Sequence, residues 1–362
     1  MGPLPPKNPT DYAVVVGIDW YPVLGPLGGP RRDAESFAAW LRNPAGGGLD
    51  PARVRTILSP DPAPAPAAGV APRPVVSEVQ DELDAIDDLA RQNNKDGKGL
   101  RAGRRLYLYF SGHGFSPDND ETALLMANAT LELVGYQVPG RGYANWFFSA
   151  GYFDEVVLLM DCCREEYAGA PLNVPHFKPL KDSTAVNRVK LFYAYATKWS
   201  RLARERVMND GKTRGVFTTA LLAGLGGAAA DPSGNVTTRS LGSYLFQNMR
   251  NFLAPADLAA AGIPKEPDLF HFPGEGAGFV LTTVGLPQMP TATVAVGVAG
   301  PGTVQLLGPN FAPVAAVAVG PPAWSYAVAP GLYLAQMVAA DGAIIDQRSI
   351  TLAPGGNPNV TF

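Results

Sequence analysis

Residues 12–18, YAVVVGI, form a continuous apolar, largely β-branched run with no polar alternation. A strand of that kind has both faces covered, which demands a sheet layered between helices. Further strands are expected at RVRTIL (53–58), RLYLYF (105–110), EVVLLMD (155–161), LFYAYAT (191–197) and GFVLTTV (278–284). Segments at helical spacing lie between these strands. RRDAESFAAWL (31–41) sets Ala34, Phe37, Ala38 and Leu41 on one face, and SEVQDELDAIDDLARQ (77–92) sets Val79, Leu83, Ile86 and Leu89 on another. Ser77 is the expected N-cap of the second, three residues before Gln80. YANWFFSAGYF (143–153), VFTTALLAGL (216–225) and SLGSYLFQNMRNFL (240–253) also read as helices. Strands alternating with helices through residue 285 predict an α/β fold, a mostly parallel six-stranded sheet with helices on both faces.

From about Pro287 the charged residues nearly vanish and short alternating strands follow one another between Gly- and Pro-rich turns. That rhythm predicts a small all-β, immunoglobulin-like sandwich over 287–362, after a first domain over 1–286. The whole chain has 362 residues, a net charge of -3 and 46% hydrophobic residues. No basic bias points to nucleic acid or an anionic membrane as partner. The opening MGPLPPKNPTDY holds no apolar segment of secretory type, so a cytoplasmic protein is expected. The two cysteines, Cys162 and Cys163, are adjacent, which disfavours a disulfide, and the three histidines show no metal-ligand spacing.

The chemistry-bearing residues sit at strand ends. RLYLYF runs into SGHG, which puts His113 just past one strand, and EVVLLMD runs into CCRE, which puts Cys162 and Cys163 just past another. In open α/β sheets, ligands bind beyond the carboxyl ends of the strands. If the two strands are neighbours, an imidazole meets a thiol there, and a cysteine needs such a partner to act as a nucleophile at neutral pH. His113 and Cys163 are 50 residues apart, the spacing known for caspases.

With YAVVVGIDWY, RRDAESF, YFSGHG, LLMDCCRE, FYAYAT and GVFTTALLAGL in this order over about 12–285, the chain resembles a caspase-fold cysteine peptidase of the prokaryotic metacaspase-like (orthocaspase) branch. The resemblance implies a three-layer caspase-like sandwich. Its D-x-C pattern makes Cys163 the nucleophile, two residues after Asp161, and leaves Cys162 as a packing residue. It implies His113 as the partner of Cys163 in a dyad, and an oxyanion hole from the backbone N–H groups of Gly114 and Cys163. No third catalytic residue is evident. The substrate-binding positions of the metacaspases fall on Asp33, Ser111 and Asp161, an acidic pocket that implies cleavage after Arg or Lys. The arginine that caspases use to bind Asp is missing where this chain reads GPLGG, although Arg31 and Arg32 lie close by. One departure is the loop after LFYAYAT, where acidic residues are expected and Lys198, Arg201 and Arg204 stand.

The basic residues of 164–190 and 198–214 suggest a zymogen cut in these loops, by itself or by an upstream activating peptidase, in a signalling, defence or cell-death cascade. Calcium activates some relatives. The acidic run Asp118, Asp120 and Glu121 lacks the EF-hand pattern and reads as a solvated turn, so no cofactor is expected. The expected partners are protein or peptide substrates, and the expected state is a monomer. The competing readings are a catalytically silent caspase-like scaffold, a peptidase cutting after Asp, and a legumain- or gingipain-like relative.

Overall fold

The computed structural model describes residues 6–64, 70–167, 170–178, 180–181, 184, 186–208, 211–231, 233–260, 265–272, 278–284, 291–294, 303–308, 313–318, 324–328, 331–352, 359–360 and 362. The chain packs as two compact units, Met1–Leu222 with Leu245–Phe279, and Ala223–Tyr244 with Val280–Phe362.

The first unit begins β1 (Tyr12–Gly17), α1 (Pro30–Arg42), β2 (Val54–Leu58), α2 (Val76–Lys95) and β3 (Arg105–Gly112). A small four-stranded sheet follows, from β4 (Gly114–Ser116), β5 (Ala123–Leu125), β6 (Gln137–Pro139) and the later β8 (Glu165–Glu166). Then come α3 (Gly140–Ala150), β7 (Glu155–Cys162), β9 (Lys190–Tyr195), the hairpin β10 (Glu205–Val207) and β11 (Thr213–Gly215), and α4 (Val216–Ala223). The main sheet has the order β13-β9-β7-β3-β1-β2, with β13 at Asp268–Phe272. All its pairs are parallel except β13 with β9. The sixth strand thus differs from the expected one. Residues 278–284 contribute β14 (Val280–Thr283), which pairs antiparallel with β12 (Asn235–Thr237) in the second unit. That unit also carries a three-stranded and a four-stranded sheet from the strands beyond residue 290.

Strand alternation decides what each face of the main sheet buries. Val14, Val16, Leu106, Leu108, Phe110, Val156, Leu158, Met160 and Cys162 share one core with Val79, Leu83 and Ile86 of α2 and Phe147 of α3. On the other face Phe37 of α1 stacks on Tyr109, centroids 4.7 Å apart. The α1 face buries Ala34, Phe37, Ala38 and Leu41, as its spacing predicts. Ser77 does not cap α2. The helix starts at Val76, and the Val75 N–H donates to Glu78 Oε2 at 2.7 Å. Gln80 is buried instead, accepting from the His176 N–H at 3.1 Å. The chain enters β2 and β3 on opposite sides of β1, so the topological switch, where ligands bind in such sheets, lies between β1 and β3.

At the opposite edge, Arg105 is fully buried and is held by Glu155 Oε2 at 2.7 Å and the Tyr107 hydroxyl at 2.8 Å. Removing Glu155 strands that guanidinium in a low-dielectric setting. Glu155→Ala is expected to lower unfolding free energy by about 3–5 kcal/mol in a denaturant titration. A loss under about 1 kcal/mol would mean that the remaining partners satisfy Arg105 alone.

Candidate active site

The β3–β7 register pairs Ser111 with Asp161 and Gly112 with Cys162. His113 and Cys163 are the next residues of two neighbouring strands, whose spacing is about 4.8 Å. Both are half-buried at the carboxyl edge of the sheet. The His113 ring packs edge-on against Tyr21, centroids 4.7 Å apart, and the Tyr21 hydroxyl accepts from the His113 N–H at 3.1 Å. His113 Nε2 lies 3.0 Å from the Gly25 carbonyl. A carbonyl only accepts, so the bond requires the tautomer with hydrogen on Nε2, which leaves Nδ1 as the proton-accepting nitrogen. The sequence offers no third residue for this orienting role because a backbone carbonyl has no side-chain signal.

Burial pushes the Cys163 thiol up to about 11, partly relieved by the Ala203 N–H that donates to it. The segment that carries Ala203 is tied across the site: the Ser200 N–H donates to Arg164 O at 2.9 Å, and the Arg164 N–H donates to Arg201 O at 2.8 Å. Arg164 is fully buried, bonding Asp268 Oδ2 at 2.6 Å and Asn119 O at 2.7 Å, which fixes the turn after Cys163. Cys162 is buried in the core, with its thiol donating to Phe110 O at 3.5 Å. Gly114 approaches the Cys163 backbone so closely that a Cβ there would lie 2.9 Å from the Cys163 carbonyl oxygen and 2.7 Å from Cys162 Cβ. No side chain fits between Gly114 and the residue after Cys162.

Ser111 and Asp161 belong by alternation to the α1 face, and the sheet brings Asp33 of α1 to them. All three are buried. Asp33 Oδ2 accepts from the Gly215 N–H at 2.7 Å, while Asp33 Oδ1 is buried without a hydrogen-bond partner. Asp161 Oδ2 accepts from Thr218 N at 3.1 Å and Thr218 Oγ1 at 2.7 Å. The two carboxyls converge on Gly215, where a Cβ would collide with Asp161 Oδ2 and lie 3.0 Å from Asp33 Oδ2. Burial, then the Asp161 charge, hold the Asp33 carboxyl well above the usual carboxylate range, and burial raises Asp161 too. Glu205 adds negative charge against both. Its Oε1 and Oε2 accept from Gly29 N at 2.8 Å and Gly28 N at 3.0 Å. The basic loop therefore does deliver an acidic residue, in the last position of ATKWSRLARE.

Arg214, which donates to Ser36 Oγ at 2.9 Å, sets a positive charge against Asp33 that partly lowers its carboxyl, whereas Arg31 and Arg32 are engaged elsewhere. Arg31 pairs with Glu35 at 3.1 Å, and Arg32 donates to Gly28 O at 2.8 Å. Lys198 pairs with Glu266 at 2.7 Å. In the acidic run, Asp118 Oδ1 accepts from the Asp120 and Glu121 N–H groups. Glu121 is buried, accepting from Arg141 N at 2.8 Å and Gly142 N at 2.6 Å to anchor the start of α3. Among the described residues no group of three His, Cys, Asp or Glu is placed to hold a metal ion. Among them, too, no helix is long and apolar enough to cross a membrane.

Comparison with known proteins adds three findings. A family model described as a caspase domain matches residues 10–257. A probable protease of a Desulfuromonadales bacterium is 27% identical over 222 residues, 60% of this chain. The match spans only 26% of that longer relative. A crystallised protein of Geobacter sulfurreducens shares 16% identity over 76% of this chain and 100% of its own, with a TM-score of 0.44.

Proposed function

The chain belongs to the caspase-domain family of cysteine peptidases, and we propose that it is an endopeptidase that cleaves proteins after Arg or Lys through Cys163 and His113. The observation that carries the specificity is the buried carboxyl pair around Gly215 with one Asp33 oxygen unpartnered. Two like charges in one buried site are costly until a cation enters. An arginine or lysine side chain supplies that charge and the missing donors, and the Ser111 hydroxyl stands on the same face.

The chemistry follows from the strand ends. His113 Nδ1 takes the Cys163 thiol proton, and the thiolate attacks the scissile carbonyl. The N–H groups of Gly114 and Cys163 are assigned to the developing oxyanion. The imidazolium then protonates the leaving amine, and water hydrolyses the acyl-enzyme. The segment that lays the Ala203 N–H on the Cys163 thiol and is tied to Arg164 supports a resting state that matures by a cut within 164–190 or 198–214.

The test is a panel of fluorogenic peptides ending in Arg, Lys, Asp or Asn, with and without calcium, followed by mass spectrometry of the protein. Turnover is expected after Arg and Lys only, accompanied by cleavage in one of those two loops. Calcium is expected to leave it unchanged, because Asp118 and Glu121 already accept backbone N–H groups. Turnover after Asp would overturn the pocket assignment, and full activity of the intact chain would overturn the zymogen.

A further inference from the structure

A second cavity opens at the same edge of the sheet, past β1 and β2. It has a volume of about 690 Å³ and is walled by Trp20, Pro22, Leu58, Pro60, Val70 and Pro72. We infer that this groove is the subsite for apolar side chains of the substrate on the leaving-group side of the scissile bond. The inference rests on the peptidase reading above and adds the residues it selects beyond the cut.

Strand order gives the direction. Cys163 ends β7, His113 ends β3, Trp20 follows β1, and Pro60 follows β2. The basic side chain on the acyl side goes to the α1 face, where Asp33 and Asp161 meet. The amine leaves toward its proton donor, His113, and so toward β1 and β2. Both walls of the groove are tied to His113. Trp20 and Pro22 flank Tyr21, which packs on the imidazole. The other wall runs Val70 to Arg73 into Pro74, whose carbonyl accepts from Ala127 N at 3.0 Å, two residues past Leu125, whose N–H bonds the His113 carbonyl at 2.8 Å.

The walls also choose the chemistry. Indole, proline and aliphatic surfaces gain from burying apolar area and offer few polar groups to a charged side chain. Among the described wall residues the one acid, Glu78, is already engaged, paired with Arg73 at 3.3 Å and accepting from Val75 N at 2.7 Å. A Leu or Phe one or two residues after the cut fits; an Asp, Gly or Ser gains nothing there.

The experiment uses internally quenched peptides with a fixed Arg before the cut and either Leu-Phe or Gly-Ser after it. An arginyl-coumarin substrate, with no peptide beyond the cut, is the control. Wild type is expected to favour the Leu-Phe series by about 10-fold or more in kcat/KM, expressed in KM. Trp20→Ala should erase that preference while coumarin turnover stays within about twofold. Val70 is 68% exposed, so Val70→Asp should leave the fold intact and shift preference toward a basic residue after the cut. Equal turnover of both series, with coumarin still released, overturns the groove and leaves the Arg/Lys reading standing. Retained preference in both variants also overturns it. No release from arginyl- or lysyl-coumarin by protein that mass spectrometry shows to be cut within 164–190 or 198–214 overturns the reading and the groove together.

Discussion

Alanine at position 163 is expected to lower hydrolysis of arginyl peptides by roughly ten-thousand-fold or more, while alanine at 162 leaves it nearly intact. The two cysteines are chain neighbours with opposite surroundings. Cys162 faces the α2–α3 core and is 1% exposed, its thiol spent on the Phe110 carbonyl. Removing it deletes one buried sulfur, at a cost of about 1 kcal/mol in stability. Cys163 is the residue that reaches the edge beside His113. Without its sulfur no acyl-enzyme forms, and only the binding groups remain. The check is turnover of both variants with a denaturant titration of each. A Cys162→Ala protein that folds but loses turnover, with Cys163→Ala active, would reverse the assignment. His113 adds a linked expectation: its Nε2 is fixed by the Gly25 carbonyl, so the ring needs the loop after β1, not an acidic side chain, to present Nδ1.

Burial on both faces is why the inner strands of the sheet are visible in the sequence. YAVVVG and RLYLYF carry no polar alternation, and that forces a covered position. The strand ends then put His113 and Cys163 at the carboxyl edge, and the β3–β7 pairing sets the two positions on neighbouring strands. The edge strand β13 escapes the same reasoning. DLFHF mixes a carboxylate and an imidazole with three apolar residues, because an antiparallel edge strand is only half-covered. GFVLTTV is the more apolar segment, yet it pairs with β12 in the other unit. The three-residue strands β4, β5 and β6 are too short for any periodicity to register. At the site, Asp33 and Asp161 are visible because the family pattern marks them. Glu205 is masked by the arginines before it, and the β10–β11 hairpin is what carries Gly215 between the two carboxyls. Ser77 misleads for a local reason: Glu78 reaches back to the Val75 N–H, so the helix begins one residue before the serine.

Asp33→Asn is expected to lower kcat/KM for arginyl substrates by about 100-fold or more, since one partner of a desolvated charge pair is lost. It should also stabilise the protein in alkaline solution. The Asp33 carboxyl is raised in the folded chain, first by burial and next by Asp161. Unfolded, it titrates near 4. Above that pH the folded state therefore holds a proton that the unfolded state has released. With more protons bound when folded, stability falls as pH rises, until the folded carboxyl too has ionised. Wild type should thus lose thermal stability from the acidic range into the alkaline range. Asn keeps an oxygen for the Gly215 N–H but carries no charge, so the variant should melt higher than wild type at pH 9 and close to it at pH 4. Agmatine, a guanidinium probe of the pocket, should raise the wild-type melting temperature at pH 8 and leave Asp33→Asn unmoved. Calorimetry across this range with and without agmatine decides it. An Asp33→Asn protein that melts lower at pH 9, or still responds to agmatine, would mean that the two carboxyls around Gly215 are not a shared site for a cation.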